Sequence, residues 1–75
     1  MLETASGWDT TAVGSEDLAV VRQFLLRRPV LPPERRRSLA SALAGRLRDR
    51  VPGSDPTIDN EQFLEILAAL KARRG

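Results

Sequence analysis

The chain has 75 residues, 41% of them apolar, and carries twelve Lys or Arg against ten Asp or Glu, for a formal net charge of +2. This length allows one small domain, and the apolar fraction excludes a fully disordered chain. The absence of His, Cys and Tyr removes most side chains from which enzymes build proton shuttles, thiolate nucleophiles and soft-metal sites. Because no apolar run is long enough to cross a bilayer and no signal-peptide layout opens the chain, we expect a soluble, cytoplasmic domain.

The first 14 residues predict an extended or turn-rich arm, since they contain Gly7, Gly14 and several Thr and Ser. Trp8 is interpreted as a packing anchor rather than a residue that stacks on a ligand. We expect Trp8 and Val13 to fold back and close one side of the helical core. The predicted organisation is therefore an arm over residues 1–14, anchored by Trp8, and a helical domain over residues 15–75.

The first helix is predicted over residues 15–28. Ser15 is the expected N-terminal cap, and Glu16 and Asp17 follow in the first turn, where the helix dipole favours carboxylates. Pro29 disfavours helical geometry in the residue before it and so ends the helix.

A second helix is predicted over residues 33–51 and a third over residues 59–73. Pro33 suits the first position of the second helix, and Pro52 and Gly53 terminate that helix. Asp59 is the expected cap of the third, with Gln62 three residues later as in a capping box.

Apolar residues recur at helical spacing in all three segments, which predicts one face on each helix that is buried against the others. The chain is therefore predicted to be an all-α three-helix bundle with an extended N-terminal arm. The residues predicted to face the core are Leu18, Val21, Phe24 and Leu25 on the first helix, Leu39, Leu43 and Leu47, flanked by Ala40 and Ala42, on the second, and Phe63, Ile66, Leu67 and Leu70 on the third.

The runs WDTTAV, DLAVVRQFLLRR, LPPERRRSLASALAGRLRDRV and DNEQFLEILAALKARR, within residues 8–74, give the chain a family resemblance. It resembles the helical C-terminal segment of some actinobacterial RDD-family membrane proteins. The resemblance implies a helical appendage on the cytosolic face of a membrane protein, at the inner face of the plasma membrane. The family's intramembrane Arg and Asp-Asp positions lie in transmembrane helices that this chain does not contain, so none is assigned here.

Arginines cluster around the turn between the first two helices, with Glu34 beside them. Consecutive helical residues point about 100° apart, so Arg35, Arg36 and Arg37 cannot all line one surface. Arg36 lies on the core side, so its stem is expected to cover the edge of the core while its guanidinium reaches out to solvent or bonds the last carbonyls of the first helix. Three interpretations are open for the other arginines. They form a solvated face, they contact anionic lipid or an acidic protein, or they bind a nucleic-acid phosphate backbone.

No catalytic, cofactor-binding or metal-ligating set is predicted, since Ser38 and Ser41 lack a candidate base and the carboxylates show no paired or metal-loop spacing. No small-molecule substrate is indicated either. The sequence favours a non-enzymatic protein-interaction or regulatory module, whose partner is a protein or an anionic membrane surface. A small basic nucleic-acid-binding domain is the alternative, although exposed aromatics and a recognition helix are missing. The predicted interaction surface consists of Leu26, Arg27, Arg28, Arg35 and Arg37.

Overall fold

The structure, a computed structural model, describes residues 7–74, which form three α-helices and no strand. Helix α1 spans Ser15–Arg27, α2 spans Pro33–Arg48 and α3 spans Asn60–Arg74, with a 3₁₀ turn over Arg28–Val30 after α1. The predicted all-α three-helix fold is confirmed, and each helix end lies within three residues of its expected position. Residues 1–6 of the predicted arm and residue 75 lie outside the described residues.

Two of the helices begin with different capping arrangements. The N-cap of α1 is Gly14, not the predicted Ser15. Gly14 has no side chain to accept a hydrogen bond, and instead its own N–H donates to the Asp17 carboxylate at 3.3 Å. The prediction of Asp59 as the cap of α3 is confirmed, because its carboxylate accepts the backbone N–H groups of Glu61 at 3.1 Å and of Gln62 at 3.3 Å.

Helix α2 ends three residues earlier than expected, at Arg48. The N–H of Arg50 donates to the Leu47 carbonyl at 2.9 Å, and the N–H of Val51 donates to that of Arg48 at 3.2 Å, so the last turn tightens. Pro52 disfavours helical geometry at Val51. The tightened turn leaves Val51 buried in the core.

The core is centred on α3, which packs against both other helices, while α1 and α2 contact each other less. Leu64 on α3 is fully buried although it lies beside the predicted apolar face. A helix with neighbours on two sides buries a wider arc than one packing face requires. The buried apolar residues are Trp8, Val13, Val21, Phe24, Ala40, Ala44, Leu47, Val51, Phe63, Leu64 and Leu67.

Helix α2 packs on the core through a face that is displaced toward Ala40 and Ala44 from the one its leucines predicted. Ala40 and Ala44 are buried with Leu47, whereas Leu43 is half-buried and Leu39 is 42% exposed. The prediction of Leu39 as a core residue is therefore wrong. Alanine side chains allow a close approach to the neighbouring helix, and this turns the bulkier Leu39 toward solvent.

The described part of the arm folds back onto the helical core as predicted, since Trp8 and Val13 are both buried. The Trp8 ring stacks on Phe63 with the centroids 5.4 Å apart and the planes at 28°. The N–H of Asp9 donates to the Pro52 carbonyl at 2.9 Å, which ties the arm to the segment after α2. The arm therefore contributes to the core, although the buried indole N–H has no acceptor within the described residues.

The segment between α2 and α3 is held by the side chain of Arg48. Its guanidinium lies over the Phe63 ring, 4.8 Å from the centroid, and donates to the carbonyls of Ile58 at 2.5 Å and Asp55 at 3.3 Å. In the same segment Gly53 has a φ of +87°, a left-handed conformation, and lies directly against the Gly7 backbone. These contacts fix the path of the chain across one end of the bundle.

Candidate interaction surface

An open apolar groove of about 320 Å³ runs between α1 and α2. It forms because both helices pack more closely on α3 than on each other. Val20 from α1 is 51% exposed and Leu39 from α2 is 42% exposed, and both contribute to its lining. The full lining consists of Val20, Gln23, Phe24, Arg27, Leu31, Arg35, Leu39 and Leu43.

Charged residues lie toward both ends of the groove, but in different combinations. Arg27 from the last turn of α1 and Arg35 from the first turn of α2 line one end. Past Val20 and Leu43, the groove continues into a smaller depression that is also lined by Glu16 and Arg46. One end therefore presents two arginines, and the other presents charges of opposite sign.

The five residues of the predicted surface are not all in one place. Arg27 and Arg35 line the groove together. Leu26 is 80% exposed, as expected, with the exposed Arg27 beside it in the chain, but it does not line the groove. Arg37 is exposed and outside the groove, and Arg28 is half-buried against α3.

Arg28 and Arg36 share a carboxylate partner on α3. Arg36 donates to Glu61 through Nε and Nη2, both at 2.8 Å, and Arg28 Nη1 donates to the same carboxylate at 3.1 Å. Arg28 also pairs with the more exposed Glu65. The expected structural role of Arg36 is thus observed, but its partner is Glu61 and not the carbonyls of α1. The pairing with Glu61 was not predicted, because the two residues lie 25 positions apart in the chain.

This ion-pair cluster of Arg28, Arg36, Glu61 and Glu65 holds its central carboxylate in the charged form. Hydrogen bonds from Arg36 lower the pKa of Glu61 below its ordinary value, against the opposing effect of burial. The same contacts raise the pKa of Arg36. A carboxylate stabilised as an anion by two guanidinium groups is a poor proton donor at neutral pH, so the arrangement suits helix packing better than acid–base chemistry.

Replacing Glu61 by Gln is expected to lower the free energy of unfolding by ~1–2 kcal/mol at pH 7, because two partly buried guanidinium groups lose their shared counter-ion. Since the folded state lowers the pKa of Glu61, this stabilisation is present above the ordinary carboxyl pKa of about 4 and is lost as the pH falls through the folded value. Denaturant unfolding at several pH values measures both effects.

The matched control is Glu65→Gln, which removes a carboxylate of the same cluster whose side chain is much more exposed than that of Glu61. Its expected effect is below about 1 kcal/mol. The stabilities of the wild-type chain and the Glu61 variant should converge in acid. A gap between them that stays constant down to about pH 3 would show that the charge on Glu61 is not the stabilising element.

Residues 7–74 contain no group of three or more carboxylates that could hold a metal ion. None of the helices in the same range has both the length and the apolar character needed to cross a membrane. Comparison of the chain with models of known protein families, with curated proteins and with solved structures gives no match. The groove and its charges are therefore the features of this chain that bear on its function.

Proposed function

We propose that the chain is a non-enzymatic protein-interaction module that binds an amphipathic helix in the groove between α1 and α2. The observation that carries this proposal is the pair of partly exposed apolar side chains, Val20 and Leu39, on the two walls of that groove. Partner helices commonly bind to such grooves through apolar residues spaced at i, i+3 or i+4, and i+7. A fourth helix laid there would complete a four-helix arrangement.

The dimensions of the groove suit a short helix. Glu16 and Arg27, which mark its two ends on α1, are eleven residues apart, or ~16 Å along a helix at ~1.5 Å per residue. A partner of about three turns matches that length. Burial of the exposed parts of Val20, Leu39 and Leu43 supplies the apolar contact area, at roughly 25 cal/mol per Å² removed from water.

The positions of the arginines favour this function over nucleic-acid binding. Arg28 and Arg36 are engaged by carboxylates of α3, and Arg37 lies apart from the groove that contains Arg35. A phosphate backbone is bound by several unpaired cations along one track, usually with aromatic residues on which bases stack. The only Trp of the chain is buried in the core.

We also propose that the module is an appendage on the cytosolic side of a larger membrane protein, as the resemblance to RDD-family segments implies. The excess of arginine supports that setting, because cytoplasmic segments near membranes are enriched in Lys and Arg. Fractionation of cells that express the natural polypeptide tests this setting. The expected result is recovery in the membrane fraction, and recovery in the cytosol after mild lysis would contradict it.

The groove is tested with a synthetic helical peptide of about 14 residues that carries Leu at i, i+3, i+7 and i+10 and uncharged polar residues elsewhere. Titration into the ¹⁵N-labelled chain is expected to shift the NMR signals of Val20, Leu31, Leu39 and Leu43. Leu39→Gln should weaken binding at least several-fold, because it places a polar group on the apolar wall.

Leu26→Gln is the matched control, since it makes the same chemical change at an exposed leucine outside the groove. It should leave peptide affinity unchanged. The proposal is overturned if no peptide binds at millimolar concentration, or if Leu26→Gln weakens binding more than Leu39→Gln. Submicromolar, salt-sensitive binding of an oligonucleotide, lost on neutralising the exposed Arg35 and Arg37, would establish the nucleic-acid alternative instead.

A further inference from the structure

The charges along the groove are asymmetric, and this asymmetry specifies the partner. Arg27 and Arg35 are both exposed at one end, and no carboxylate of residues 7–74 forms an ion pair with either. Glu34 is exposed beside Arg35 but is not bonded to it. Within residues 7–74, this end of the groove therefore presents two cations that have no ion-pair partner.

The opposite end has no comparable excess of charge. Glu16 and Arg46 lie there together, and Asp17 is already bound by the Arg50 guanidinium at 3.0 Å. A partner helix consequently encounters positive charge at one end of its apolar contact and a balanced pair of charges at the other. Carboxylates on the partner helix are therefore favoured only at the end that lies beside Arg27 and Arg35.

A second copy of the chain does not satisfy this pattern. In a two-fold dimer built on the groove, Arg27 and Arg35 of one copy would face either the same two arginines or the end with Glu16 and Arg46. Neither arrangement neutralises both cations. A bilayer is also a poor match, because a flat surface does not enter a groove between two helices.

Building on the proposed function, we infer that the partner is an acidic amphipathic helix, with two carboxylates at one end of its apolar stripe bound to Arg27 and Arg35. The apolar stripe supplies burial against Val20, Leu39 and Leu43, and the ion pairs fix which end of the partner lies at the turn between α1 and α2. Complementary charges of this kind contribute mainly to specificity and to the rate of association.

The test compares two peptides with the same apolar stripe, one carrying a Glu pair at one end and the other carrying Gln at those positions. At low salt the Glu peptide is expected to bind about three- to tenfold more tightly, and the difference should shrink near 0.5 M salt, where the Debye length is only about 4 Å. The double variant Arg27→Gln with Arg35→Gln is expected to abolish the preference while still binding the Gln peptide.

The matched control is Arg22→Gln with Arg37→Gln, which removes the same net charge from exposed arginines outside the groove. It should retain the preference for the Glu peptide. Equal binding of the two peptides by the wild-type chain, or equal loss of preference in the two double variants, would overturn the acidic partner while leaving the groove as a helix-binding site. Failure of both peptides to bind would overturn the proposed function itself.

Vesicles that contain about one-third anionic lipid provide a third arm. They are expected to leave the Glu peptide bound to the groove. Displacement of the peptide by these vesicles, but not by neutral ones, would identify an anionic lipid headgroup as the ligand of Arg27 and Arg35 and would overturn the inference.

Discussion

Leu67→Ala is expected to lower the free energy of unfolding by ~2–5 kcal/mol, because it removes a fully buried side chain from the central helix and leaves a cavity. A domain of 75 residues has a total stability of only about 4–11 kcal/mol at ~0.05–0.15 kcal/mol per residue. The variant should therefore be largely or wholly unfolded in mild denaturant. Urea unfolding followed by circular dichroism measures the difference.

Leu43→Ala deletes the same atoms from a residue that the sequence, as for Leu67, predicts to face the core. Because Leu43 is half-buried and lines the open groove, we expect a loss of only about 1 kcal/mol. The contrast between the two leucines tests the position of the core on α3. Equal losses at Leu43 and Leu67 would mean that the groove is closed in solution.

Gly53→Ala is expected to cost ~2–3 kcal/mol of stability and to loosen the arm. At Gly53 φ is +87°, which L residues rarely adopt, and an added Cβ would lie 2.2 Å from the Gly7 carbonyl oxygen. The backbone at Gly7 or at Gly53 must therefore move away from the other. The Trp8 ring and its contact with Phe63 are then exposed to water. Denaturant unfolding should show the loss, and a red shift in Trp8 emission of the folded state should show the displaced arm.

Gly45→Ala is the matched control, since nothing lies within 4 Å of an added Cβ at this position in α2. It should raise stability by ~0.5–1 kcal/mol through improved helix propensity. If Gly53→Ala leaves stability unchanged and Trp8 emission unshifted, then the contact between the arm and the segment after α2 does not hold in solution.

Features set by short-range chemistry could be predicted from the sequence. The three helices follow from proline positions, the Asp59 cap and apolar spacing, and the burial of Trp8 follows from the small number of large apolar groups available to cover a small core. The exposure of Leu26 follows from its position outside the apolar face of α1. The helices, the Asp59 cap and the exposure of Leu26 depend on residues that are neighbours in the chain, whereas Trp8 is buried by stacking on Phe63 of α3.

Features set by the packing of one helix on another could not be predicted in the same way. Hydrophobicity favours Leu39 as a core residue, but the close contact between α2 and α3 selects Ala40 and Ala44 because they are small. Similarly, Arg36 and Glu61 are 25 residues apart, and no local pattern pairs them. The groove is a consequence of the same packing, since it is the space left where α1 and α2 diverge.

The central position of α3 also affects how the chain folds during its synthesis. Helices α1 and α2 leave the ribosome first, yet most of their packing surface is provided by a helix that has not yet been made. At ~5–20 residues per second, the 15 residues of α3 take about one to three seconds to add. Until α3 emerges, Val21, Phe24 and Leu47 lack most of the side chains that bury them, so we expect a stable core to form only after Phe63 and Leu67 have cleared the exit tunnel.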